Sequence, residues 1–181
     1  MKHSFLLIIC SLLLFSCGNN APRKPIVRKT SSFMEESVSF NKSLIAEEEK
    51  LFQQLIKNDS LSTYKTSSNG FWYKFEQKSV SKYAPKFGDK LFYTYEVYNI
   101  KNTIIYTSKE IGEQIYLVDQ QEIIEGLRSG LKLMTEKDVV TFLFPSHKVF
   151  GYLGDQNKID INQPLIYKVQ LIKIEKKNES N

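Results

Sequence analysis

Apolar residues recur along this chain with two different periods, which predict one helix among several strands. Residues 121–134 repeat an apolar side chain at intervals of three or four, the spacing of one helical face. Segments 90–98, 103–107, 139–144 and 165–174 alternate apolar and polar residues instead, which predicts strands. One helix among antiparallel strands predicts an α+β fold, in which a sheet of about five to six strands wraps around that short helix.

Two further elements are predicted before this domain. Residues 33–60 form a helix with an apolar stripe, and residues 61–82 connect it to the domain and contribute an edge strand that contains Trp72, a packing residue. The stripe covers only about two heptads, which is short for a stable coiled coil. The helix is therefore predicted to pack on its own domain, to hold the tether loosely or to act as a dimerisation arm, and a monomer is favoured over a dimer.

The N-terminus carries the pattern of an export signal. A basic start precedes an apolar run over residues 5–15, which is too short for a transmembrane helix and predicts a signal peptide over residues 1–16. The run ends in Leu-Phe-Ser-Cys, which resembles the lipobox of bacterial lipoproteins and predicts that Cys17 carries lipid. A signal peptide with an incidental cysteine is the alternative. Residues 17–32 hold prolines and basic residues and predict a flexible tether.

Lipid on Cys17 would anchor the protein to a membrane of the cell envelope. Several acyl chains hold a protein stably, because each buried CH₂ contributes about 0.8 kcal/mol. The residue after the cysteine is Gly18. An aspartate there retains lipoproteins in the inner membrane of well-studied bacteria, so its absence predicts the outer membrane, facing the periplasm.

Charge and reactive side chains exclude several classes of function. The net charge of +5 is spread along 181 residues, and no run of lysine and arginine interleaved with aromatics predicts nucleic-acid binding. Both cysteines, Cys10 and Cys17, lie at the N-terminus, so the domain has no internal disulfide. The two histidines, His3 and His147, stand apart. Neither a metal site nor a nucleophile with its base is predicted, and no cofactor is expected.

Three tyrosines are predicted to face the interior beside the start of the central helix. Tyr95, Tyr106 and Tyr167 fall on the inward parity of their strands. Buried phenols need hydrogen-bond partners or a cavity to point into. Ile123 and Ile124 open the helix, where backbone N–H groups lack intrahelical partners. We therefore expect an apolar pocket with a donor for a ligand carbonyl, and core tyrosines with satisfied hydroxyls are the alternative.

Four motifs carry a resemblance to a known family. They are Gly-Asp-x-Leu-x-Tyr-x-Tyr from Gly88, Ile-Tyr-Thr-Ser from Ile105, Gln-Glu-Ile-Ile-Glu-Gly-Leu-x-x-Gly-Leu-x-x-Met from Gln121 and Phe-Pro-Ser-x-x-x-Phe-Gly from Phe144. In order and spacing they resemble the FKBP-type peptidyl-prolyl isomerases over residues 83–176, which leaves residues 177–181 as a polar tail. With the lipobox and the preceding helix, the chain is similar to the gliding-motility-associated FKBP-type lipoproteins of Bacteroidetes.

The resemblance implies an FKBP-like fold and a set of site residues. The catalytic positions that it implies are Tyr95, Tyr106, Thr107, Ile123, Ile124, Leu127, Phe150 and Tyr167. The substrate-binding positions that it implies are Ile124, Ile159 and Gln114. Some of these residues depart from the family pattern: Thr107 replaces an aspartate, Leu127 a tryptophan, Phe150 a tyrosine and Gln114 an aromatic residue.

The function that the resemblance implies is a lipid-anchored peptidyl-prolyl cis-trans isomerase. Its substrates would be proline-containing envelope polypeptides, including motility machinery if the narrower resemblance holds. Such a reaction needs a dry pocket rather than a nucleophile or metal, because the twisted amide prefers apolar surroundings. The departures at Thr107, Leu127 and Phe150 favour an alternative, a non-catalytic peptide-binding or assembly module with the same fold. A purely structural tether is a third hypothesis.

Overall fold

The computed structural model of the protein describes residues 30–59 and 63–177. The predicted signal peptide, the lipidation site Cys17 and nearly all of the predicted tether and polar tail lie outside these residues. The chain divides into two compact units, residues 1–38 and residues 39–181. The second unit contains every strand of the described chain.

The described chain begins with a long helix and continues as a mainly β domain with two short helices. The helices are α1 (Thr30–Asn58), α2 (Ser108–Ile111) and α3 (Glu125–Leu131). The strands are β1 (Lys65–Thr66), β2 (Trp72–Gln77), β3 (Lys90–Asn99), β4 (Ile104–Tyr106), β5 (Gln114–Leu117), β6 (Val139–Phe144) and β7 (Leu165–Glu175). Two 3₁₀ turns, Ser146–Lys148 and Gly151–Leu153, lie in the loop between β6 and β7. No helix in the described ranges combines the length and apolar character that a membrane span requires.

All the strands join one antiparallel sheet in the order β1-β2-β6-β7-β3-β4. The strand β5 pairs with the first half of β3, beside β4. The predicted α+β class is thus confirmed, with seven strands rather than about five to six. The additional strands are β1 and β5, which are two and four residues long and too short to show a period in the sequence.

The helix α3 is shorter than the predicted segment 121–134. Ile124 is extended, with φ −49° and ψ 129°, and is the N-cap of the helix. Beyond Leu131 the chain makes tighter turns, in which the amide of Met134 donates to the carbonyl of Leu131 over 3.2 Å. Met134 is nevertheless fully buried in the core. The apolar pattern therefore continues past the helix because the turn also faces the core.

The helix α3 lies very close to strand β6 because two glycines face the strand. A Cβ on Gly126 would come within 2.9 Å of the Phe144 ring, and a Cβ on Gly130 would come within 2.9 Å of the Phe142 ring. Real Cβ atoms do not approach other atoms so closely, so any side chain here would push the helix away from the sheet. The spacing of these glycines by four residues places both on the same helical face.

The opposite face of the sheet is covered by the second half of α1. Phe52 is fully buried in a small apolar cluster with Leu143 and Ile166, and its ring centre lies 5.6 Å from that of Trp72. This part of α1 therefore packs on its own domain, which is one of the predictions for the helix. Trp72 is a packing residue, as predicted. The oligomeric state stays a prediction.

Candidate active site

A stack of tyrosine rings forms the centre of the candidate site, on the face of the sheet that carries α3. Tyr93 and Tyr95 are 6.0 Å apart between ring centres, and Tyr95 and Tyr167 are 5.4 Å apart. Phe144 meets Tyr167 edge-on at 5.4 Å. The alternation of β3 and the register of β7 beside it place these side chains on one face. Tyr167 is completely buried, whereas Tyr95 is half-buried.

Most of the predicted site residues lie in one apolar cluster around this stack. Its buried members, here called the floor, include Leu127, Ile159 and Tyr167. Its half-buried members, here called the walls, include Tyr95, Tyr106, Ile123, Ile124 and Phe150. The cluster draws on four separate stretches of chain, because β3, β4, α3 and the β6–β7 loop with β7 converge on the same side of the sheet. The roles of these residues in binding and catalysis stay predictions.

The other two predicted site residues, Thr107 and Gln114, make local hydrogen bonds instead. Thr107 is the N-cap of α2: its hydroxyl accepts from the amide of Glu110 at 3.2 Å, and its own amide donates to the Glu110 carboxylate at 2.9 Å. Gln114 donates from its side-chain amide to the carbonyl of Ile111 at 3.0 Å. The structure therefore gives Thr107 a capping role that the family resemblance did not imply.

Asp155 belongs to the site although the sequence did not predict it. One oxygen of its carboxylate accepts from the Tyr106 hydroxyl at 2.5 Å. The other accepts from the amides of Asn157 at 2.9 Å and Ile159 at 2.8 Å. The side chain of Asn157 also donates to the Tyr106 hydroxyl, at 3.1 Å. Asp155 thus joins a wall residue of the cluster to the loop that carries a floor residue. A Gly-Asp pair in a loop was the only sequence signal for it.

The electrostatics of the site follow from burial and from this carboxylate. Burial raises the pKa values of Tyr95 and Tyr167 above that of an ordinary phenol, which is already protonated at neutral pH. The hydroxyl of Tyr167 has no hydrogen-bond partner among the described residues. Burial alone would raise the pKa of Asp155, but the hydrogen bonds from Tyr106 and from the loop amides outweigh it and lower that pKa. The site therefore combines neutral rings with one ionised carboxylate at its edge.

The start of α3 supplies a backbone donor with apolar neighbours. The carbonyl of Ile124 accepts the first helical hydrogen bond, from the amide of Arg128 at 3.0 Å. The amide of Ile124 donates no hydrogen bond to any described residue. The side chains of Ile123 and Ile124 pack against the central cluster. A peptide carbonyl placed here would gain a donor, while the rest of the peptide would contact apolar side chains.

Nowhere in 30–59 or 63–177 do three His, Cys, Asp or Glu side chains group so that they could hold a metal ion. The groups that the site offers to a ligand are apolar side chains, a backbone donor, tyrosine hydroxyls and the carboxylate of Asp155 at its edge.

Comparisons with known proteins agree with this geometry. The family model described as FKBP-type peptidyl-prolyl cis-trans isomerase matches residues 81–172. The probable FKBP-type peptidyl-prolyl cis-trans isomerase FkpA of Neisseria meningitidis serogroup B is 30% identical over 129 residues, which cover 71% of this chain and 47% of that protein. The peptidyl-prolyl cis-trans isomerase Mip of Coxiella burnetii is 28% identical over 132 residues, which cover 73% and 56% respectively.

A solved structure shares the fold. A crystal structure of a peptidyl-prolyl cis-trans isomerase from Pseudomonas syringae pv. tomato matches with a TM-score of 0.59 over 75% of this chain and 96% of that chain, at 17% identity. This likeness shows the fold alone. The chain spans about half the length of the two curated relatives that it matches.

Proposed function

The chain belongs to the family of FKBP-type peptidyl-prolyl cis-trans isomerases, and from this membership we propose that it accelerates the cis–trans isomerisation of X–Pro peptide bonds. The observation that carries the proposal is the apolar cluster, in which floor and wall residues from four stretches of chain meet beside the start of α3. The family match over residues 81–172 includes every one of these positions.

The chemistry of the cluster suits this reaction. Rotation about an X–Pro bond is slow because amide resonance imposes a barrier of about 18–20 kcal/mol. At the top of the barrier the amide is twisted and has lost resonance and charge separation, so an apolar environment stabilises it relative to the planar amide. Leu127, Ile159 and Tyr167 provide such an environment. The amide of Ile124 orients the bound chain by donating to a carbonyl of the peptide.

The departures from the family pattern support a second candidate, a peptide-binding module without turnover. Leu127 stands where the resemblance implies a tryptophan, and Phe150 where it implies a tyrosine. A leucine offers a smaller floor than an indole, so the prolyl ring would be held less firmly. Phe150 provides no hydroxyl donor. We therefore expect slower catalysis than in a site with both of those residues.

An isomerisation assay separates the two candidates. Protein produced without residues 1–17 is tested on a panel of X–Pro tetrapeptides and on a protein whose refolding is limited by one X–Pro bond. Tyr95→Ala should lower kcat/KM by about tenfold, because it removes a wall of the pocket. Tyr98→Ala is the matched control, since Tyr98 lies on the same strand but packs with the cluster on the opposite face.

The outcomes are distinct. Acceleration that falls in Tyr95→Ala and persists in Tyr98→Ala supports the enzyme. Peptide binding without acceleration at micromolar protein would favour the non-catalytic module. Equal loss in both variants would show that the proposed pocket is not where the reaction occurs.

We also propose that lipid on Cys17 anchors the protein in the outer membrane, facing the periplasm, where proline-containing envelope polypeptides are its substrates. The lipobox-like sequence before Cys17 and the residue Gly18 support this proposal. The likeness to gliding-motility-associated lipoproteins of Bacteroidetes supports motility machinery among the substrates. Cys17→Ser should move the protein to the soluble fraction and abolish labelling with fatty acid. A variant that still sediments with membranes and still carries label would contradict the anchor.

A further inference from the structure

A groove runs beside the candidate active site, between helix α1 and the β6–β7 loop. Its volume is about 490 Å³, enough for two or three side chains. The residues that define this helix–loop groove are Asn41, Leu44 and Ile45 on α1 and Val149, Phe150 and Tyr152 on the loop. Tyr152 is 77% exposed, so the loop wall already presents an aromatic ring to solvent.

The lining of the helix–loop groove contains no lysine, arginine, aspartate or glutamate side chain. His147, which also lines it, is its only imidazole, and burial together with the nearby Lys148 lowers the pKa of that side chain. The remaining lining residues are apolar, aromatic, amide or hydroxyl side chains and one glycine. An uncharged and largely apolar lining favours an uncharged ligand, because a buried charge without a partner is costly.

Hydrogen bonds hold both walls of the groove in place. Glu48 of α1 is 2% exposed, and its carboxylate accepts from the amide of Ser146 at 2.8 Å. On the loop side, the amide of Asn162 donates to the carbonyl of Gly151 at 2.7 Å. The first bond joins the helix to the start of the loop, and the second closes the loop on itself. The groove therefore exists before a ligand arrives, which lowers the entropic cost of binding.

The groove and the candidate active site share one side chain. Phe150 packs against the central apolar cluster and also lines the groove. An extended peptide advances about 3.3 Å per residue, so a chain bound at the cluster would reach past the Phe150 side chain to the groove within a few residues. The occupant that this shared side chain favours is the same polypeptide that the active site binds.

We propose that the helix–loop groove is an extended subsite, which binds the part of the substrate chain flanking the prolyl bond and selects uncharged apolar or aromatic side chains there. This inference rests on the proposed function, because it places a prolyl bond at the central cluster. It makes α1 part of the substrate-binding surface of the catalytic domain. It also predicts that long substrates are used better than short ones.

The test compares three peptides that share one X–Pro pair: a tetrapeptide, a dodecapeptide with phenylalanine and leucine in its flanks, and the same dodecapeptide with aspartate at those positions. Both kcat/KM and binding by fluorescence anisotropy are measured. The apolar dodecapeptide should exceed the other two by about tenfold. Ile45→Glu and Tyr152→Ser should remove most of this preference. Leu51→Glu is the matched control, because Leu51 is on the same helix, 40% exposed and outside the groove.

Each outcome decides the inference. Equal kcat/KM and equal affinity for the three peptides in the unaltered protein would overturn it, while isomerisation of the tetrapeptide would leave the proposed function standing. If no peptide is isomerised, the proposed function fails, and the affinities alone then decide the inference. If Ile45→Glu converts a dimer into a monomer in sedimentation, a second copy covers the groove and the inference is wrong. Because the Tyr152 side chain is exposed, Tyr152→Ser should leave the fold intact, and it therefore tests the groove even if Ile45→Glu fails to fold.

Discussion

Removing the hydroxyl of Tyr167 should stabilise the protein. Tyr167 is completely buried, and its hydroxyl has no hydrogen-bond partner among the described residues. A buried hydroxyl without a partner costs about 1–3 kcal/mol relative to one in water. Tyr167→Phe removes that cost and loses only the few dispersion contacts of one oxygen, each about 0.1–0.2 kcal/mol. We expect the free energy of unfolding to rise by roughly 1 kcal/mol, which corresponds to about 3 °C in Tm for a domain of this size.

Tyr116 provides a matched control for this prediction. It is also a completely buried tyrosine, but its hydroxyl accepts a hydrogen bond from the amide of Asp119 at 3.0 Å. Tyr116→Phe should therefore lower the free energy of unfolding, by about 0.5–1.5 kcal/mol. Both values come from urea denaturation followed by near-ultraviolet circular dichroism. The reasoning is refuted if Tyr167→Phe destabilises the protein as much as Tyr116→Phe does.

Three further predictions follow from the described contacts. Asp155→Ala should lower kcat/KM for an X–Pro peptide by about tenfold, because the loop and the Tyr106 ring lose their shared carboxylate; an unchanged value would contradict this. Asp138 is buried, and although burial alone would raise its pKa, hydrogen bonds from Lys78 and nearby groups lower it. The ionised carboxylate should stabilise the fold at pH values above its unfolded pKa of about 3.9, and this stabilisation should disappear as the pH falls through the lower folded pKa. In Asp138→Asn, the free energy of unfolding should therefore depend less on pH in that range. Gly126→Ala should cost about 1–3 kcal/mol in chemical denaturation, whereas Ser129→Ala on the same helix should change stability by less than about 0.5 kcal/mol.

The sheet and its central helix could be predicted because burial imposes a period on the residues that supply it. In β7, Leu165, Tyr167 and Val169 are buried and Lys168 is exposed, so one face of the strand is readable from the sequence alone. The predicted helix is longer than α3 because the residues of a buried turn follow the same apolar spacing as those of a buried helix. The spacing of apolar residues indicates which side chains face the core, but it does not indicate the backbone conformation that places them there.

Contacts between distant segments could not be predicted in this way. The carboxylate of Glu48 meets the amide of Ser146 across a separation of 98 residues. Glu48 lies four residues from both Leu44 and Phe52, so the helical period places it on their face of α1, between the exposed residues Glu47 and Glu49. The period thus indicates that Glu48 faces inward, but the group that it meets there depends on how α1 lies on the sheet, which is a property of packing. The helix–loop groove could not be predicted for the same reason, because no sequence pattern indicates that α1 and the β6–β7 loop lie side by side.

With the structure known, the departures from the family pattern argue less strongly against catalysis than they do from the sequence alone. The resemblance implies an aspartate directly after Tyr106, and this chain has Thr107 there. The structure nevertheless places a carboxylate on the Tyr106 hydroxyl, supplied by Asp155 from the β6–β7 loop, while Thr107 caps α2. Two of the other departures, Leu127 and Phe150, replace partly polar side chains with apolar ones. Since a dry pocket is what favours a twisted amide, these changes alter how firmly the prolyl ring is held more than they alter the environment of the rotating bond.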